Sequence, residues 1–156
     1  NHGLKDRDTA TTFGLNSRMD ALQAAILNYR IKKLPTIVQR RRENARIYRE
    51  LLDREHVFTP SDSETEFNTF HTFVIQVDQR DILKEYLMTQ GIETAIHYPI
   101  PIHLQPAAKN LSYGEGSFPI AERQAKKILT LPVNQFLSKS EIVHISNLIN
   151  KFFQHK

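Results

Sequence analysis

The sequence contains no cysteine. That excludes a disulfide framework and any thiolate metal site, and it suits a reducing cytosol. Long apolar runs are also missing. None approaches the roughly 20 residues of a membrane-spanning helix, so the expectation is a cytoplasmic protein with no membrane partner. No Gly-x-Ser-x-Gly elbow is present, which argues against a hydrolytic triad of that kind. No glycine loop of the Walker or dinucleotide type occurs. A strong imbalance of charge is missing as well. The net charge is +4, and much of the surplus lies in Arg40, Arg41, Arg42, Arg46 and Arg49. A mild surplus speaks to solubility and to attraction for phosphorylated partners, not to fold.

What is present suits one domain with a moderate core: 156 residues, 40% of them apolar. The richest stretch runs from Phe13 to Leu27. Asn16 or Ser17 is placed to cap a helix, and Asp20 follows Ser17 by three residues, close to a capping box. Leu22, Ala25, Ile26 and Tyr29 recur at helical spacing and predict a buried stripe. Ala21, Ala24 and Ala25 allow a close neighbour. A helix start also gathers unpaired N–H groups that favour an anion, and Arg18 adds a planar charged fork there. Taken alone, the stretch reads first as a plain helix cap.

The spacing predicts a loop over 1–12, a first helix over 17–33, and a second over 36–54 opened by Pro35. Ile37, Ala45, Tyr48, Leu51 and Leu52 form the inward stripe of the second helix. Residues 57–68 read as a loop. Strict alternation over 72–77 predicts a strand with Phe73, Ile75 and Val77 on one face. An amphipathic helix follows over 80–90 with Ile82, Leu83, Tyr86 and Leu87 inward, ended by Gly91 in a left-handed turn. A short strand over 93–97 completes either a split βαβ unit or an antiparallel return. Pro99 and Pro101 then make 98–105 a stiff turn. Residues 107–118 read as a loop, Pro119 opens a helix to about Lys127, and 128–131 is a short strand. Ser138 and Glu141 form a capping box for a last helix with Ile142, Ile145, Ile149 and Phe152 inward.

His71, His97 and His103 could together supply three imidazoles to a metal. Their spacing matches no helical histidine pair and no acid flanks the last two, so no metal site is expected.

Several motifs occur in order along nearly the whole chain. They are Gly14-Leu15-Asn16-Ser17-Arg18, Leu22-Gln23-Ala24-Ala25, Ile96-His97-Tyr98-Pro99 with Pro101 and His103, Pro119-Ile120-Ala121-Glu122, and Leu131-Pro132. In this order they resemble the C-terminal part of the DegT/DnrJ/StrS family of sugar aminotransferases, which depend on pyridoxal phosphate (PLP).

The resemblance implies an α/β fold: the small C-terminal domain of a fold type I aminotransferase, a short sheet flanked by helices and led by two long helices. It implies an interdomain or dimer-interface segment over 1–54 and the small domain proper over 55–156. The lysine that carries PLP would lie upstream of Asn1, leaving no catalytic residue in this segment and no activity in the segment alone. A family member with histidine in place of that lysine would dehydrate instead. Asn16 would serve the PLP phosphate of the partner subunit in a homodimer, and Arg18 would lie near that phosphate or the nucleotide-sugar diphosphate. His97 and Tyr98 would sit near the sugar, with His103 in support. The activity implied is transfer of an amino group, from glutamate, to a nucleotide-linked keto sugar. The His-Tyr-Pro-Ile-Pro form leans toward a dTDP-3-keto-6-deoxyhexose, feeding lipopolysaccharide, glycan or antibiotic sugars. The rival reading is a non-enzymatic split-βαβ module that binds nucleic acid through the arginine helix.

Overall fold

The computed structural model describes residues 5, 6, 9, 11, 12, 14, 15, 19–63 and 65–154. Asn16, Ser17 and Arg18 therefore lie outside the described residues. The chain forms two compact units, 1–36 and 37–156. The second long helix packs into the core of the larger unit.

In the first unit, helix α1 spans Ala21–Ile31 and begins later than its periodicity suggested. Asp20, not Asn16 or Ser17, is its N-cap. The Asp20 carboxylate accepts Leu22 N–H at 2.8 Å, and Gln23 accepts Asp20 N–H at 3.3 Å, a reciprocal capping box. The expected stripe is not buried: Leu22 is 69%, Ile26 50% and Tyr29 62% exposed. Periodicity reports that a face wants cover, not what covers it.

Helix α2 spans Leu34–Leu51, with Pro35 in its first turn where a missing N–H costs nothing. It buries Asn44, Ala45, Ile47 and Tyr48, with Leu52 just beyond its end. Ile37 is half-buried and Leu51 stays exposed, against expectation. The arginines of α2 fasten the following segment. Arg41 donates to the carbonyls of Phe70 and His71, and Arg42 to that of Asn68. Arg49 donates to Pro60 O and, through both Nη atoms, to Asp62. Arg46 pairs with Glu43 and Glu50 on the same helix. Side chains so committed are poorly placed to read a nucleic-acid backbone, which needs free cations.

Strands β1 (Phe73–Gln76) and β2 (Ile128–Leu131) pair antiparallel. Phe73 faces Leu131 and Ile75 faces Leu129 on the core side; Val74 faces Thr130 on the other. Phe58 bridges to Gln76 at one edge, and Ala95 bridges to Thr130 at the other. Both β1 and the Ala95 segment run antiparallel to β2, so they run parallel to each other with β2 between. The unit is thus the split βαβ of the two alternatives. The strand expected over 93–97 shrinks to this single bridge, hemmed in by Gly91 and Pro99.

Helix α3 (Arg80–Thr89) buries Leu83 and Leu87, with Tyr86 half-buried. Ile82 is 55% exposed, a correction to its inward assignment: it lies off the 83/87 stripe. Gly91 adopts φ 77°, and Gly91 and Ile92 N–H return to Met88 and Leu87 carbonyls at 3.0 and 2.9 Å, a full Schellman ending. The region expected as a loop over 107–118 begins as a 3₁₀ turn, Pro106–Leu111. Helix α4 (Pro119–Lys127) runs directly into β2. Buried Arg80 donates to Ala125 and Ile128 carbonyls at that junction, satisfying groups the helix end leaves open.

Helix α5 (Lys139–Gln154) is capped as expected, with Ser138 N–H on Glu141 at 2.7 Å and Glu141 N–H on Ser138 Oγ at 3.3 Å. Its Ile142, Ile145 and Ile149 close the core against Ile75, Leu83, Leu87 and Leu129. No helix among the described residues is long and apolar enough to cross a membrane.

Candidate functional site

The site is built on the outer face of the sheet. Ala95 and Thr130 exchange both backbone hydrogen bonds, at 3.2 and 2.7 Å. That pairing sets the register of the whole 95–105 segment against β2. His97, two residues on from Ala95, returns to the same face as Thr130, because side chains alternate. Its Nδ1 lies 2.9 Å from Thr130 Oγ1. Thr130 is buried, whereas His97 and Tyr98 are exposed, Tyr98 by 73%. The His97 and Tyr98 rings meet edge to face, 5.4 Å between centroids. The peptide bond joining them is cis.

The chain then turns through Pro99 and Pro101 into a single 3₁₀ turn, Ile102–Leu104. Gln105 Nε2 donates back to Ile100 O at 3.2 Å and closes the loop on itself. His103 is directed elsewhere. Its side chain is 8% exposed, its Nε2 lies 2.9 Å from Glu122 Oε1, and its ring packs on Phe118 at 4.7 Å. Glu122 also accepts Gly116 N–H with both oxygens, at 3.0 and 2.9 Å, and Phe118 N–H at 3.1 Å. The two backbone donors, then His103, hold this carboxyl below the usual glutamate range. One carboxylate therefore joins the 97–105 loop, the 114–118 turn and the first turn of α4.

Of the residues singled out in the sequence, His97 and Tyr98 come together with an open face. His103 is instead a buried brace for that loop. Asn16 and Arg18 lie outside the described residues. Thr130, Glu122 and Phe118 were missed as working parts. Glu122 had a signal in the Pro-Ile-Ala-Glu motif; Thr130 had none, since its partner is 33 positions away.

A cavity of about 680 Å³ adjoins this face between residues 91–95, the end of β2 and α5. Glu93, Thr94, Glu141 and His144 contribute its polar lining, and the Thr94 hydroxyl is buried without a partner among the described residues. His97 and Tyr98 do not line it.

Of the three histidines, His97 and His103 have their rings bonded, to Thr130 and Glu122. Among the described residues the ligand atoms that do gather, within 4.8 Å, belong to Asp53, Glu55 and His56. That is a surface turn in which Asp53 already accepts Glu55 N–H.

The DegT/DnrJ/EryC1/StrS aminotransferase family matches residues 1–150. A "pleiotropic regulatory protein" of Geobacillus stearothermophilus is 36% identical over 157 residues, 99% of this chain and 42% of that protein. The dTDP-3-amino-3,6-dideoxy-α-D-galactopyranose transaminase of Aneurinibacillus thermoaerophilus is 36% identical over 139 residues, 89% of this chain and 38% of that enzyme. The crystal structure of S. venezuelae DesV, in complex with a ketimine intermediate, superposes with a TM-score of 0.90 at 31% identity, covering 97% of this chain and 41% of that one. The chain thus spans about two-fifths of the length of the relatives it matches. In sequence, in fold and in the order of its motifs, the chain belongs to the DegT/DnrJ/EryC1/StrS aminotransferase family.

Proposed function

We propose that this chain is the C-terminal part of a PLP-dependent aminotransferase that moves an amino group from glutamate to a keto sugar carried on a nucleotide. The acceptor we assign is a dTDP-3-keto-6-deoxyhexose, and the product feeds surface polysaccharide or antibiotic sugars. The observation that carries the reading is the His97–Tyr98 face. An exposed phenol ring stands beside an imidazole whose Nδ1 is already taken. An aromatic face suits the apolar side of a sugar ring, and the free imidazole edge suits its hydroxyl or keto oxygen. The 3-keto assignment is supported by the His-Tyr-Pro-Ile-Pro run and by the relative named for a dTDP-3-amino sugar.

When bound, PLP supplies the electron sink for amino transfer. The described residues suit the sugar side of such a site, not the Schiff-base side. No lysine among them is buried, and a Schiff-base lysine is activated by desolvation or a neighbouring cation. We assign that lysine to the upstream domain. Asn16 and Arg18 are proposed as donors to the cofactor phosphate of the other subunit in a homodimer. The exposed apolar face of α1 supports an interface there, because a stripe of Met19, Leu22, Ile26 and Leu27 is poorly tolerated in water.

The test uses the protein with its upstream domain, glutamate and dTDP-3-keto-6-deoxyhexose, following 2-oxoglutarate release. His97→Ala is expected to raise KM for the sugar about 3- to 10-fold, the loss of one hydrogen bond, and to leave the glutamate half-reaction unchanged. Equal turnover of a 4-keto sugar would remove the 3-keto assignment. An unchanged sugar KM would remove His97 from the site. Mixing Asn16→Ala subunits with subunits lacking the lysine should restore about half the activity if Asn16 serves its neighbour, since one site then carries both lesions.

A further inference from the structure

Thr130 is the least expected member of the site. It is 8% exposed, and its backbone is consumed by the pairing with Ala95. Its hydroxyl has one hydrogen-bond partner among the described residues, His97 Nδ1 at 2.9 Å. A hydroxyl brings one proton, and neutral imidazole brings one N–H and one bare nitrogen. If Nδ1 carried the proton and donated, the Thr130 proton would be left without an acceptor in a buried place. If Thr130 donates, both groups are satisfied, and the imidazole proton must sit on Nε2. Buried polar groups are paired as a rule, so the second arrangement prevails.

We propose that Thr130 is a positioning residue that holds His97 as its Nε2–H tautomer and aims that N–H outward as a donor to an oxygen of the bound substrate. The second part rests on the reading of His97 as substrate-facing given above. The partner of one ring nitrogen decides what the other can do. With Nε2 protonated, the exposed edge of His97 can donate to a keto or hydroxyl oxygen but cannot take a proton from one. His97 is therefore assigned to recognition and polarisation, not to base catalysis.

The test reads the tautomer directly, by ¹⁵N resonances of the His97 ring in this chain above the ordinary imidazole pKa of about 6.5. The expected result is a predominantly Nε2–H ring. Thr130→Ser should keep that tautomer, while Thr130→Val, which fills the same space without a hydroxyl, should give a mixture of both forms. A predominantly Nδ1–H ring in the unmodified chain overturns the proposal, as does an unchanged tautomer in a folded Thr130→Val. If Thr130→Val does not fold, the unmodified chain and Thr130→Ser still decide the matter. In the enzyme with its upstream domain, Thr130→Val should raise the sugar KM several-fold with the glutamate half-reaction unchanged, and Thr130→Ser should restore it. An Nε2–H ring together with an unmoved sugar KM would leave the tautomer assignment standing and overturn the substrate-facing role.

Discussion

Tyr48 offers a sharp test of how polar groups are satisfied in this core. It is fully buried on α2, and its ring stacks on Phe73 at 5.1 Å with 16° between planes. Its hydroxyl is buried without a hydrogen-bond partner among the described residues. Burial, and then the nearby Glu141 carboxylate, push the phenol pKa upward, so the group stays neutral at any working pH. Tyr48→Phe keeps the stack and removes only the oxygen. An unsatisfied buried polar group costs about 1–3 kcal/mol. The gap left by one oxygen, roughly 12 Å³, takes back about 0.3 kcal/mol at the usual cavity cost. A net gain of about 1 kcal/mol is therefore expected. Urea unfolding of the chain reads it as a midpoint raised by about 0.5 M, for a slope near 2 kcal/mol/M. A lowered midpoint would show that the hydroxyl has a partner, and this account of the core would fail.

Glu122 is held below the usual glutamate range by Gly116 and Phe118 N–H and by His103, so its stabilisation of the 114–118 turn is complete above that range and is lost as pH falls through the depressed value. Hydrogen-exchange protection of the Gly116 and Phe118 amides should fall on acidification with that midpoint, and Glu122→Gln should abolish the dependence; the same midpoint in the variant would refute it. Arg49 and Asp62, both partly exposed, should couple by about 0.5–1 kcal/mol in a double-mutant cycle, less at high salt. Zero coupling at low salt would mean that the segment is held by the Pro60 carbonyl alone. The exposed face of α1 should drive self-association of the isolated chain, and Leu22→Glu with Ile26→Glu should disperse it by light scattering. Equal association in both proteins would place the sticky surface elsewhere.

Much of this chain could be read one segment at a time. The Ser138–Glu141 capping box, the left-handed Gly91, the Pro119 start of α4, the short strand before Pro132 and the alternation over 72–77 all appear where the sequence put them. Each depends on residues within one turn or on a period of two or 3.6, so local chemistry suffices to specify it. Local reading fails at the start of α1: it expects Asn16 or Ser17 as the cap, whereas Asp20 caps the helix and Gln23 returns the bond. It fails again where a face needs a partner, since the stripe of α1 is legible but its cover is not.

The site itself was only half legible. The motif order named His97, Tyr98 and His103, yet nothing local distinguishes an open histidine from a braced one. That difference comes from pairing across long separations. The Ala95–Thr130 register brings a hydroxyl 33 positions away under His97, and the start of α4 brings Glu122 onto His103. A shift of one residue in that register would turn His97 to the other face of the sheet. The candidate residues are thus written in the sequence, while the contact of exposed His97 with Thr130 and the bracing of His103 on Glu122 are decided by how β2 and α4 are packed beside them.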